Sequence, residues 1–128
     1  MDILHQLHIA QQTADKLFGE NAKNEITPRQ ALIMVALADN PDCSQTVLVN
    51  ATGVDRSTLS DVVRRLTKKG WLSRKRTKED ERAYAVTFTA EGRKVLSAVR
   101  AASSKTEREL LRRFPALGSL QERLQAAE

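Results

Sequence analysis

A glycine flanked at fixed distances by apolar residues sets the strongest limit on what this chain folds into. Gln45, Val49, Gly53, Leu59 and Val62 fall at relative positions 1, 5, 9, 15 and 18 of one stretch. Two short helices that cross at a tight turn need this spacing. The turn requires a residue for which positive φ is cheap, and glycine is that residue. Ser44 predicts the cap of a first helix, Gln45 to Thr52, and Asp55 the cap of a second, Arg56 to Lys69, which Gly70 ends. Leu59, Val62, Val63 and Leu66 repeat at i, i+3, i+4 and i+7, the inner face of an amphipathic helix. Val49 stands where a helix-turn-helix usually has alanine, which predicts a slightly more open crossing.

The outer face of the second helix is polar: Arg56, Ser57, Ser60, Asp61, Arg64, Thr67 and Lys68. Arginine can hold guanine O6 and N7 in bidentate fashion, and serine donates or accepts. Ser57, Ser60, Asp61 and Arg64 are the expected base-reading residues of a recognition helix. The charge distribution agrees. Between Asp55 and Arg82 ten basic and five acidic residues leave +5, the net charge of the whole chain. A basic excess confined to one stretch is the footprint of a phosphate-binding surface, although a solvated helix face shows the same residue types.

The flanks are helical with one strand-rich island. Leu4, Leu7, Ala14, Leu17 and Phe18 predict a helix over about Ile3 to Phe18, ended by Gly19 and Asn21. Thr27, Pro28 and Gln30 have the order of a capped helix start, and the run Ala31 to Ala38 is apolar nearly all round, which predicts a buried central helix. Trp71 to Arg76 and Ala83 to Phe88 read as strands of a hairpin around the charged turn Thr77 to Arg82. Thr89 caps a helix from Ala90 to Arg113, Pro115 breaks it, and Leu117 to Ala126 form a last helix. The expected fold is mainly α with a small β-hairpin wing.

Two passages, Asp55-Arg56-Ser57-Thr58-Leu59-Ser60 and Leu66-Thr67-Lys68-Lys69-Gly70-Trp71-Leu72, resemble the recognition helix and following strand of the MarR family of regulators. Asp80-Glu81-Arg82, Val86, Phe88-Thr89 and Gly92 resemble its D-x-R wing signature ending in L-T-x-x-G, with Phe88 in place of leucine. The resemblance implies one domain over 1–128: a winged helix-turn-helix core over 27–92 and dimerisation helices over 1–22 and 93–128. It implies a homodimeric repressor of double-stranded DNA that reads a palindrome. Arg82 would enter the minor groove with Asp80 orienting the wing, and Arg74, Lys75, Arg76 and Lys78 would hold flanking phosphates.

Apolar residues at both ends, among them Leu4, Leu7, Phe114, Leu120 and Leu124, are candidates for the dimer interface or for intrachain packing. The family also responds to small phenolic or aromatic anions, but with 4% aromatic residues no pocket for such an effector is legible. Cys43, just before a helix start, is a candidate oxidation sensor because that position favours a thiolate; a lone cysteine is more often an inert, small apolar residue. His5 and His8 lie one turn apart without a companion ligand set, so no metal or cofactor is expected.

With 41% hydrophobic and 29% charged residues the chain is expected to be globular. No apolar run reaches the length of a membrane span, and no signal peptide is legible, so a cytoplasmic location is expected. The chain shows no nucleophile elbow, phosphate loop or metal cluster, which argues against an enzyme. A winged-helix protein-interaction module, an anti-activator or adaptor, remains the alternative. Such a module should carry apolar anchors where this helix carries Ser, Thr and Arg.

Overall fold

Thr27 opens the central part of the fold with a reciprocal cap. Its hydroxyl accepts from the Gln30 N–H and the Gln30 side chain accepts from the Thr27 N–H, each at 3.1 Å, with Pro28 in the first turn. The computed structural model describes residues 1–76 and 84–127. In chain order its elements are α1 (Ile3–Asn21), α2 (Pro28–Asp39), α3 (Gln45–Thr52), α4 (Arg56–Lys68), β1 (Leu72–Arg76), β2 (Tyr84–Phe88), α5 (Ala90–Arg113) and α6 (Leu117–Ala127). The expected mainly α fold with one antiparallel hairpin is the fold observed. No helix among the described residues is long and apolar enough to cross a membrane.

The chain forms two compact units. One is Thr27–Val99; the other joins Met1–Ile26 to Arg100–Glu128. In the first, α2, α3 and α4 pack together with the hairpin. Ile33, Met34, Leu37, Leu48, Leu59, Val63, Leu66, Leu72 and Val86 make a core that solvent does not reach. At about 25 cal/mol per Å² of apolar area, such side chains dominate the stability of a unit this small. The sequence predicts an α2 buried nearly all round, but Leu32 is 47% exposed. Gln30, Ala31, Ile33, Met34 and Leu37 fix the inward face, and at about 100° per residue Leu32 falls opposite it.

The hairpin pairs Leu72 with Phe88, Arg74 with Val86 and Arg76 with Tyr84. It is fastened at its edge, where the Val86 N–H donates to the Cys43 carbonyl at 2.9 Å. Asp42, at φ +55°, turns the chain to bring Cys43 there. At the other end Thr89 joins strand to helix: its N–H donates to the Trp71 carbonyl at 3.0 Å and its hydroxyl accepts from the Gly92 N–H at 3.0 Å.

In the second unit Leu17 and Phe18 of α1 and Ala102 of α5 are buried. Buried Thr106 accepts from the Asn21 side chain at 3.0 Å and donates to the Ala102 carbonyl at 2.7 Å, so both hydroxyl functions are satisfied. α1 runs past Phe18 to Asn21, the second of the two residues that allow its end. It closes with paired bonds, Asn24 N–H to Gly19 and Lys23 N–H to Glu20, and Lys23 rather than a glycine takes the left-handed position.

Candidate nucleic-acid interface

α3 and α4 meet as the glycine-centred spacing requires. Ser44 caps α3 by accepting from the Val47 N–H at 3.3 Å, and Gly53 closes it at φ +71° with its N–H on the Val49 carbonyl at 2.9 Å. Thr52 stiffens the turn, donating to the Leu48 carbonyl at 2.7 Å and accepting from the Val54 N–H at 3.2 Å. The inward side chain of α3 is Leu48, fully buried, while Val49 is only half-buried. The position singled out by the pattern is therefore not the main anchor.

Asp55 starts α4. Its carboxylate accepts from the Thr58 N–H at 3.0 Å and from the Thr58 hydroxyl at 2.7 Å. These bonds hold its carboxyl below the usual carboxylate range. Leu59, Val62, Val63 and Leu66 face inward as expected. A left-handed Gly70 ends the helix, with the Trp71 N–H on the Leu66 carbonyl and the Gly70 N–H on Thr67, both at 3.0 Å. Lys69 lies 4.6 Å from the centre of the Trp71 ring, a cation–π contact at the start of the hairpin.

The outer face of α4 brings Ser57, Asp61, Arg64 and Lys68 into one stripe, three or four residues apart. Ser60, an expected base reader, and Arg56, an expected DNA-binding residue, are tied back to α3. The Ser60 hydroxyl donates to the Gln45 side chain at 2.9 Å, and Arg56 donates to the Thr46 hydroxyl at 3.1 Å. The Arg56 and Ser60 side chains thus join the two helices as well as facing outward. Gln45 and Thr46 enter the site through these bonds; only their placement at the start of the motif hinted at it.

Asp61 is paired on both oxygens, with Arg64 on one and with Arg65 Nε at 3.2 Å on the other. Sequence reasoning gave Arg65 no role. On β1, Arg74, Lys75 and Arg76 are all exposed, but the strand divides them. Arg74 and Arg76 share a face with Val86 and Tyr84, whereas Lys75 lies opposite Ala85 on the other. The Arg76 guanidinium stands 5.9 Å from the Tyr84 ring centre. Lys78, Asp80 and Arg82 fall within 77–83, outside the described residues.

Cys43 is not the partly exposed thiol that the sensor reading requires. It is buried, and burial pushes its thiol up rather than down. Desolvation outweighs the lowering by a backbone hydrogen bond, and the nearby Asp42 carboxylate adds to the rise. His5 and His8 are exposed, and among the described residues no group of three or more His, Cys, Asp or Glu is placed to hold a metal ion.

A helix-turn-helix followed at once by an antiparallel hairpin, with a polar and cationic outer helix, defines a winged helix-turn-helix protein. A model of the MarR family matches residues 25–83. The transcriptional regulator HosA of Escherichia coli is 33% identical over 92 residues, which span 72% of this chain and 68% of that protein. A probable transcriptional regulator from Pseudomonas aeruginosa has the same fold, with a TM-score of 0.87, 29% identity and coverage of 99% and 97% of the two chains. A cysteine-to-serine mutant of E. coli MarR, solved with operator DNA, gives 0.84 over 96% of this chain and 91% of that one. At 21% identity that last likeness is one of fold. The chain belongs to the MarR family and is a transcriptional regulator of the winged-helix class.

Proposed function

We propose that this regulator is a homodimeric repressor that places α4 in the major groove of a palindromic operator. The observation that carries the reading is the outer stripe of α4, where Ser57, Asp61, Arg64 and Lys68 stand opposite the buried Leu59, Val62, Val63 and Leu66. A partner-binding helix would carry apolar anchors at those outer positions, and this one carries none. The fold shared with MarR, solved with operator DNA, supports the same reading. In it Arg56, Ser57, Ser60, Asp61, Arg64 and Lys68 form the helix contribution. Arg74 and Arg76 bind phosphates from one face of the wing and Lys75 from the other, Lys78 is a further phosphate ligand, and Arg82, oriented by Asp80, enters the minor groove.

The second unit supports the homodimer. Ile3, Leu4, Leu7, Leu120 and Leu124 are exposed on a single copy. Ile3, Leu7, Ala10, Phe114, Leu117 and Leu120 line an apolar cavity of about 600 Å³. Contiguous apolar surface of this kind marks an interface, and a second copy would cover it. The location this reading implies is the cytoplasm, where a repressor meets its operator, and a small molecule is its expected effector.

The test is binding to random duplex DNA across a salt series, followed by selection of a preferred site. Log affinity should fall linearly with log salt at a slope set by about six to ten phosphate contacts. The selected site should be palindromic with half-sites about one turn, ~34–36 Å, apart. Negligible binding at low salt would leave the protein-interaction module as the reading. Arg82→Ala should weaken operator binding with fold and dimer intact.

A further inference from the structure

Asp61 is anomalous on a surface built to face phosphates. It lies in the same stripe as Ser57, Arg64 and Lys68, and a carboxylate there repels a polyanion. Both of its oxygens are occupied, one by Arg64 and the other by Arg65 Nε at 3.2 Å. The side chains of Arg64 and Arg65 are 62% and 67% exposed and that of Asp61 is 38% exposed. Ion pairs this wet contribute little to stability. Arg65 also sits in the last turn of α4, where the helix dipole favours a cation without help. Stabilising the fold therefore does not account for the cluster.

We propose that Asp61 is a specificity-determining positioning residue that acts through Arg64 and Arg65. In the free protein it holds both guanidinium groups as ion pairs. A single phosphate oxygen offers Arg64 little beyond what Asp61 already gives it. A guanine edge offers two acceptors, O6 and N7, in the fork geometry that matches arginine. Random DNA is thus bound with Arg64 and Arg65 withheld from phosphate, whereas at the cognate site Arg64 keeps Asp61 on one amino group and offers its remaining donors to the guanine. The carboxylate lowers affinity for every sequence but lowers it least where a guanine is correctly placed, and discrimination arises from that difference. This inference rests on the proposed entry of α4 into the major groove.

The test compares wild type, Asp61→Asn and Asp61→Glu on the selected operator and on random duplex. For Asp61→Asn, affinity for random duplex should rise about tenfold and the salt slope on it should steepen by about one to two, as one or two arginines become free for phosphate. Operator affinity should rise less than affinity for random duplex, or fall, so the specificity ratio falls. Asp61→Glu, which keeps the charge, should retain most of the wild-type ratio. A purely structural role would not move the salt slope. If wild type selects no site, the major-groove reading fails. If wild type discriminates and Asp61→Asn has an unchanged ratio and slope, the positioning role alone is overturned. An equal loss on both DNAs would overturn it too. Should Asp61→Asn not fold, Asp61→Ser carries the same comparison.

Discussion

Gly92, in the first turn of α5, lies against the backbone carbonyl of Trp71 so closely that a β-carbon built there overlaps the carbonyl group. The contact explains why threonine and glycine occur together at this junction. Thr89 bonds the Trp71 carbonyl and caps α5, and this fixes the first turn of the helix against the start of the hairpin. Only a residue without a side chain fits between them.

Gly92→Ala should therefore destabilise the protein, although alanine favours a helix interior by about 1 kcal/mol over glycine. Displacing a backbone carbonyl costs about 1–3 kcal/mol, as overpacking does elsewhere. Urea unfolding checks this: the midpoint should fall. A midpoint equal to or above that of wild type would show that α5 shifts freely away from Trp71.

Gly53 presents the opposite case. Nothing lies within 4 Å of a β-carbon built there, and φ is +71°. The cost of Gly53→Ala is then conformational alone, about 1–2 kcal/mol. Gly53→Asn should recover part of the loss, because asparagine tolerates the left-handed region. Equal unfolding midpoints for the two variants would show that conformation at the turn is not what the glycine supplies.

Asp55 makes the stability of α4 depend on acid. Its folded carboxyl titrates lower than in the unfolded chain because Thr58 donates to the ionised form. The native state binds this proton less tightly than the unfolded state. The contribution is thus present above the unfolded value and lost as pH falls through the lowered one, below about pH 4. Asp55→Asn keeps a cap but has no proton to bind. The stability difference between wild type and this variant, followed by urea unfolding, should shift against wild type between about pH 5 and pH 2. A constant difference over that window would mean that Asp55 titrates alike in both states.

Cys43 should be unreactive. It is buried and its thiol is raised by desolvation, so thiolate is scarce at neutral pH. A disulfide reagent should label the native protein on the order of a hundredfold more slowly than the urea-unfolded chain, through local opening. Labelling of the native protein at the unfolded rate would restore the oxidation-sensor reading, as would a loss of DNA binding in peroxide that Cys43→Ser abolishes.

What the sequence determined by itself was local. Caps at Thr27, Ser44 and Asp55, left-handed glycines at Gly53 and Gly70, and the 3.6-residue period of Leu59, Val62, Val63 and Leu66 act within a few residues. They placed the helices, the turn and the inner face of α4. Tertiary structure decided what depends on residues far apart in sequence. It made Leu48 rather than Val49 the anchor of α3, turned Leu32 outward and buried Cys43 behind a bond to Val86. It also joined Ser60 to Gln45 and Arg56 to Thr46. Burial and desolvation are set by the neighbours that the whole fold assembles, and no local pattern encodes which neighbours those will be.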